Sequence, residues 1–356
     1  MNVVRARKFD TEPATATRPK PLVSIIVPAY NEAEIIMQNL TRLHEYLRTL
    51  EANYRWELII VNDGSADDTG ALAEAFAHER KNVRVLHHTS NLNLGQALRT
   101  AFRNSRGDYV VTMDIDLSYA PEHIPRMLEE LQQQRANIVL ASPYMEGGSC
   151  TNVPWDREVL SRQANRYLSR MAPGKISTLT GMVRAYEGPF VRALKLKATG
   201  MEINTEIIYK AQLLNARIAE IPGHLHWETQ KSGGVRRGAH IKILRQIGRC
   251  LVSGFMFRPA FFLMLPALLT GVVASWALGR MFWEVVVQYQ VLTAAMEFAP
   301  SQIGSALAAA FQQVPHMFWL GGLSALAAMQ FFGFGLMALQ NKQYFEELFH
   351  FGAHAH

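Results

Sequence analysis

The chain has 356 residues, 49% of them hydrophobic, which is enough for one α/β domain of ordinary size with further elements attached. Its two cysteines, Cys150 and Cys250, are too few for a disulfide framework, and the sequence carries no internal repeat, no low-complexity tract and no nucleic-acid motif. A net charge of +6 and a pI near 9.3 ask for anionic partners, although the cations are gathered in one region.

Met1 to Lys20 carries Arg5, Arg7, Lys8, Pro13 and Pro19 without an apolar core, so a flexible, mildly basic arm and no secretory signal are expected. Val23 to Val27 is a buried-strand run closed by Pro28, Ala29, Tyr30, Asn31 and Glu32. Ile36, Leu40, Leu43, Leu47 and Leu50 then recur at helical spacing. Glu57 to Val61 repeats the theme, ending in Asn62, Asp63, Gly64 and Ser65, with Asp67 and Asp68 opening another helix. Asn91 to Gly95 is a turn before a helix through Leu98, Ala101 and Phe102. Asn31, Glu32, Asp67 and Asp68 read equally well as ligands or as helix caps, and Gly64 and Gly95 as turn formers. Ligands of open α/β sheets bind beyond the carboxyl ends of strands.

Val110 to Leu117 is an apolar run ending in Asp114, Ile115 and Asp116. Side chains two apart on a strand share a face, so the two carboxylates are expected to converge. Their hard oxygens suit Mg2+ or Mn2+, and no Cys or His cluster argues for zinc. The alternative is a solvated turn at a strand end.

In this order, Pro28-Ala-Tyr30-Asn31-Glu32, Asn62-Asp63-Gly64-Ser65, Asn93-Leu-Gly95 and Asp114-Ile-Asp116-Leu117 with Pro121-Glu122 resemble the family 2 glycosyltransferases of GT-A fold. Within that family the resemblance is to the polyprenyl-phosphate glycosyltransferases, including the dolichol-phosphate mannose synthases. It covers roughly residues 21–238 and, more loosely, the tail. The resemblance implies a nucleotide-sugar pocket of Pro28, Tyr30, Glu32, Asp63, Asn93 and Asp114. It also implies a divalent cation at Asp114 and Asp116 that offsets charge on the leaving diphosphate. Where relatives carry a Gln that reaches the metal, this chain has Ser118, whose hydroxyl would serve directly or through water.

Arg157 to Asn165 resembles the family's Arg-x-x-x-Ser-Arg-x-x-Asn helix. Arg157 and Ser161 lie one turn apart, so both can address one anion, the acceptor phosphate. Thr180 to Arg184 resembles the Ser-Gly-Phe-Arg segment, which places Arg184 at the acceptor pocket among the catalytic candidates. Pro143 stands where relatives have Arg, and Met182 where bacterial relatives often have Asp. A phosphate monoester, with a second pKa near ~6, attacks without a base; an alcohol would need one, with Asp116, Asp156 and Glu206 as candidates. After the final strand, Arg217 to Pro222, Lys231 or Arg236 would replace an absent phosphate-binding Arg. His224 and His226 alternate on a strand and read as a surface pair, since no third metal ligand accompanies them.

Between Glu228 and Glu284 there is no acidic residue, while Lys231, Arg236, Arg237, Lys242, Arg245, Arg249 and Arg258 all fall there. Ile241, Leu244, Ile247 and Leu251 share a helical face, an interfacial pattern that attracts anionic lipid at about 1 kcal/mol per cation. Pro259 to Gly279 and Met317 to Leu339 are each long enough for a ~30 Å hydrocarbon layer, and Ser305 to Phe311 reads as an interfacial helix between them. The basic block puts the catalytic domain on the cytoplasmic side, where the cysteines would stay reduced. Gly321, Gly322, Ala325 and Ala328 form a small-residue face suited to span packing or self-association.

The expected organisation is an arm at 1–20, a GT-A domain at 21–238, an amphipathic helix at 239–257, two transmembrane helices within 258–341 and a cytoplasmic tail at 342–356. The expected activity is inverting, metal-assisted transfer of a sugar from a UDP- or GDP-sugar to a polyprenyl phosphate. The alternatives are transfer to a hydroxyl or amine of another lipid or glycan, and an inactive membrane scaffold for another glycan-assembly enzyme.

Overall fold

The computed structural model describes residues 19–227 except 173 and 175, residues 255 and 257–295, and residues 301–354. The arm up to residue 18, the loop bearing Lys231 and Arg236, and the basic segment 239–254 lie outside the described residues.

Strands and helices alternate: β1 (Leu22–Ala29), α1 (Ile36–Thr49), β2 (Arg55–Asn62), α2 (Thr69–His78), β3 (Val83–His87), α3 (Leu94–Asn104), β4 (Tyr109–Thr112), α4 (His123–Gln133) and β5 (Ile138–Ser142). There follow β6 (Ser149–Thr151), α5 (Trp155–Met171), β7 (Arg184–Glu187), α6 (Gly188–Ala193), α7 (Ile203–Leu213), β8 (Ile218–Pro222) and β9 (His224–His226). Seven strands form one sheet in the order β3-β2-β1-β4-β7-β5-β8. All neighbours in it are parallel except β7, which runs antiparallel to both β4 and β5. β6 and β9 make a small parallel pair beside the sheet.

Strand alternation builds a core on each face. Val23, Ile25 and Val27 of β1 join Trp56, Leu58 and Ile60 of β2 in one apolar layer, under the α1 stripe Ile36, Leu40, Leu43 and Leu47. Ile26, Ile59 and Val61 face the other layer, with Leu98, Ala101 and Phe102 of α3 and Ile207, Ile208 and Ala211 of α7. Both faces are covered, so these strands read as continuous apolar runs. Each fully buried Leu or Ile contributes about 1.5–3 kcal/mol.

Two long apolar helices follow, α8 (Pro259–Ala295) and α10 (Pro315–His354), with α9 (Ser301–Gln313) between them. Both are long and apolar enough to be candidate membrane spans. Leu268, Trp276, Trp319, Leu326 and Met329 are all more than half exposed, an outward apolar surface that suits lipid rather than water. The helices outrun the expected spans, since α8 continues beyond Gly279 and α10 beyond Leu339. A lone Gly costs a helix only about 1 kcal/mol, and no Pro follows within either extension. With 13 residues, α9 is about 20 Å long, short of a crossing; it packs on α8 and buries Ala306 and Ala310.

Two glycines of α10 pack closely within the hairpin, whereas Gly322 has open space beside it. A Cβ on Gly321 would lie 3.0 Å from Leu278 Cδ2, and one on Gly335 2.9 Å from Met264 Cγ. Arg258 Nε donates to Met171 O at 3.0 Å and Lys342 Nζ to Phe257 O at 3.0 Å. Phe257 is buried against Tyr209 of α7, so the helix pair is seated on the α5–α7 side of the domain.

Candidate active site

The loops after β1, β2 and β4 meet at the carboxyl edge of the sheet. Asn31, at φ +54°, donates its amide to Ser65 Oγ at 3.0 Å and accepts the Ala66 amide on Oδ1 at 2.8 Å. Glu32 N–H donates to Thr69 Oγ1 at 2.8 Å. Asp67 accepts from Ala33 N at 3.2 Å and from the amide and hydroxyl of Thr69. Burial acts in the opposite sense, but the bonds from Thr69 and Ala33 hold the Asp67 carboxyl below its ordinary pKa. Asn31 and Asp67 are therefore braces between the β1 and β2 loops. Tyr30 stays 44% exposed, with Pro28 and Glu32 half-buried beside it.

Asp63 is buried at the end of β2, where Oδ1 meets His88 Nδ1 at 2.6 Å and the Leu92 amide at 3.0 Å. Gly64, at φ +67°, lets the chain pass so close that a Cβ would lie 2.2 Å from Ser90 C. Asn93, at φ +68° and exposed, precedes α3, and Gln96 N–H donates to Thr199 O at 3.2 Å. Gly95 is needed for that contact, since a Cβ there would sit 2.5 Å from Thr199 C.

β4 ends at Thr112, so Asp114 to Leu117 is a turn rather than the expected strand continuation. Leu117 N–H donates to Asp114 O at 3.1 Å, with Leu117 buried at φ +49°. The left-handed residue is held by its apolar packing, a local strain of the kind concentrated at functional sites. Asp114 and Asp116 still share an environment. Burial and the Asp116 charge push the Asp114 carboxyl up to about 7, so the pair wants a counter-charge. Among the described residues no third His, Cys, Asp or Glu completes a protein-only metal cage. Two carboxylates, one half-buried and one exposed, fit Mg2+ or Mn2+, which take oxygen ligands and keep substrate and water in the rest of the shell. Ser118 N–H donates to Asp116 Oδ1 at 2.9 Å, and its carbonyl accepts from His226 N at 2.8 Å, so Ser118 braces the turn.

Between β5 and α5, Tyr144 O–H donates to Ser161 Oγ at 2.8 Å, and the Arg162 guanidinium lies 5.7 Å from the Tyr144 ring centre. Asn165 is buried and gathers Leu179 N, Thr180 N and the Thr180 hydroxyl on its Oδ1. The side chains of Asp156 and Arg157 lie outside the described residues, although both positions are in α5.

Two expectations are corrected here. Arg184 is fully buried, with its guanidinium donating to Gly181 O, Asn204 O and Leu179 O at 2.7–2.8 Å. It fixes the 179–182 loop and touches no surface a substrate reaches. Glu206, a candidate base, is also buried and accepts from the amides of Lys197 and Ala198 and from Lys210 Nζ. It fastens the loop that presses on Gly95. His88, Tyr144 and Asn165 were not singled out as site residues, because their roles come from partners 14 to 25 positions away.

His224 Nδ1 lies 2.9 Å from Ser149 Oγ and His226 Nδ1 2.8 Å from Thr151 Oγ1, which ties β9 to β6.

The glycosyl transferase family 2 model matches residues 24–192. Undecaprenyl-phosphate mannosyltransferase of Micrococcus luteus is 32% identical over 233 residues, covering 63% of this chain and 93% of that protein. The chain belongs to glycosyl transferase family 2. Polyprenol monophosphomannose synthase of Mycolicibacterium smegmatis is 33% identical over 218 residues, 59% of this chain and 79% of that one. This family 2 glycosyltransferase has the GT-A fold. Mannosyl-3-phosphoglycerate synthase of Rubrobacter xylanophilus superposes with a TM-score of 0.50 at 16% identity, over 66% of this chain and 74% of its own, a likeness in fold alone.

Proposed function

We propose that this glycosyltransferase moves a sugar, with inversion, from a nucleotide sugar to a polyprenyl phosphate at the cytoplasmic face of a membrane, with a divalent cation at Asp114 and Asp116. The observation that carries the acceptor side is the seam between α5 and α8. Arg258, one residue before α8, bonds the last turn of α5 through Met171 O, and the Tyr167 ring lies 6.4 Å from the Phe262 ring. A phosphate held near Ser161 and Arg157 would therefore have its prenyl chain beside the apolar helices. The M. luteus and M. smegmatis relatives, an undecaprenyl-phosphate mannosyltransferase and a polyprenol monophosphomannose synthase by name, support the same acceptor class.

The chain's own groups then divide the work. Pro28, Tyr30 and Glu32 line the nucleotide side, with Asp63 at the base or ribose and Asn93 at the mouth of the same pocket. A bound cation would offset charge developing on the leaving diphosphate. Asp114 and Asp116 fix where that charge collects, and Ser118 keeps Asp116 in place. Ser161 and Arg157, with Lys231 and Arg236 from farther along the chain, hold the acceptor phosphate. Glu206 already accepts from the Lys197 and Ala198 amides and from Lys210, which disfavours one of the three candidate bases for an alcohol acceptor. The energetic demand is positioning and charge stabilisation.

The test is nucleotide release by purified protein with Mn2+, using UDP- and GDP-sugars against short polyprenyl phosphates and Asp116→Ala as control. Release that needs the polyprenyl phosphate and disappears in the variant is the expected result. Donor binding without polyprenyl-dependent release would instead point to a hydroxyl or amine acceptor.

A further inference from the structure

A cavity of about 380 Å³ opens between the second half of α3 and the segment from α6 to Lys197. Arg99, Arg103, Arg192, Lys195 and Lys197 line it around Phe102, and no acidic residue does. None of the five cations forms an ion pair with a carboxylate among the described residues. Their recorded bonds go to neutral carbonyls, Arg99 Nη1 to Lys197 O at 3.3 Å and Arg192 Nη1 to Gly107 O at 2.9 Å. The nearby Glu206 carboxylate is taken by Lys210 and by the amides of Lys197 and Ala198.

Such an arrangement works against the fold when the cavity holds only water. Arg99 and Arg103 stand one helical turn apart, a like-charge spacing that weakens a helix. Lys195 and Lys197 are two apart on an extended stretch, so they reach the same side. Arg99 Nε is buried without a hydrogen-bond partner among the described residues, and a buried donor left unmet is costly. A multivalent oxyanion would neutralise the cluster through the exposed Arg103, Arg192, Lys195 and Lys197 head groups, as guanidinium forks do for phosphate. The cavity flanks α3 away from its N-terminus, with Arg99 about 7.5 Å and Arg103 about 13 Å along the helix from Leu94.

We propose that this basic cavity is a second anion site that takes a phosphate-bearing group, either the headgroup of an anionic lipid or a soluble polyphosphate. Recognition is by guanidinium and ammonium contacts to phosphate oxygens.

The experiment places the full chain in nanodiscs and follows acylation of Lys195 and Lys197 by mass spectrometry, with exposed Lys81 as internal reference. In neutral phosphatidylcholine discs, added pyrophosphate is expected to slow both lysines several-fold and leave Lys81 unchanged if the soluble anion is the ligand. In phosphatidylglycerol discs the same protection without an additive identifies the lipid headgroup. The double variant Arg99→Gln with Arg103→Gln should lose the protection in either arm while sugar transfer persists. No protection in both arms, or protection that survives the double variant, overturns the proposal.

Discussion

His88 Nδ1 lies 2.6 Å from Asp63 Oδ1, and both side chains are buried beneath the loop that follows β2. The second ring nitrogen is 2.9 Å from Thr100 Oγ1, so the histidine ties the Asp63 carboxylate to the body of α3. Replacing His88 by Ala leaves a buried carboxylate short of a partner, at a cost of about 1–3 kcal/mol. The variant should melt earlier and bind nucleotide sugar more weakly, with kcat at saturating donor much less affected. Thermal melts and calorimetric titration with the nucleotide measure the two effects.

Asp114 gives a pH dependence with a definite sign. Its carboxyl is raised from 3.8 to about 7 by burial and by Asp116, so the metal-free folded state holds this proton more tightly than the unfolded chain does. That contribution to stability is complete below about pH 4 and is lost as pH rises through about 7. Metal-free protein should therefore lose melting temperature between pH 5 and pH 8. Mn2+ should restore it, releasing a proton visible in calorimetry with buffers of different ionisation heat. Asp116→Asn should lower the Asp114 pKa and flatten the profile; a profile unchanged by this variant would mean that the two carboxylates are not coupled.

Arg184 is expected to act on folding rather than chemistry. Arg184→Met strips three buried carbonyl acceptors of their donor, and each acceptor left unmet costs about 1–3 kcal/mol. Arg184→Lys should recover part of that stability. Activity per folded molecule at low temperature should change far less than stability, as comparison of kcat with melting temperature will show.

Glu206→Gln separates a brace from a base. A general base contributes about 10²–10⁴-fold to rate, so loss of that size would restore Glu206 as the proton acceptor and revive the alcohol reading. The expected outcome is a lower melting temperature, from the lost Lys210 ion pair, with the pH profile of kcat unmoved.

Tyr144→Phe removes the hydroxyl that donates to Ser161 Oγ. At about 0.5–1.5 kcal/mol for one such bond, the acceptor KM should rise by up to about tenfold while the donor KM stays constant. Initial rates over a matrix of both substrates read this directly.

Local pattern made much of the domain legible. The Ile36, Leu40, Leu43, Leu47 stripe forecast α1, and all four side chains are fully buried. The apolar runs before Asn31, Asp63 and Asp114 forecast three strands that end at one edge. The resemblance to family 2 glycosyltransferases rested on those same loops, and the family match covers them. The Asp114 to Leu117 turn was misread as strand, because alternation along a strand says nothing about a left-handed Leu117 held by its neighbours. Arg184 was misread for a similar reason: its motif names the residue but not the carbonyls that surround it.

The sequence by itself determined which faces are apolar and which strand ends carry carboxylates, because helical and strand periods act over a few residues. Tertiary structure alone decided which of those polar groups are braces. β7 enters antiparallel between β4 and β5, bringing Arg184 under the carbonyls of Leu179, Gly181 and Asn204, and α7 turns Glu206 toward the amides of the 197–198 loop. A buried charge must find hydrogen-bond partners when the chain closes around it, and sheet order, rather than any local spacing, determines where those partners stand.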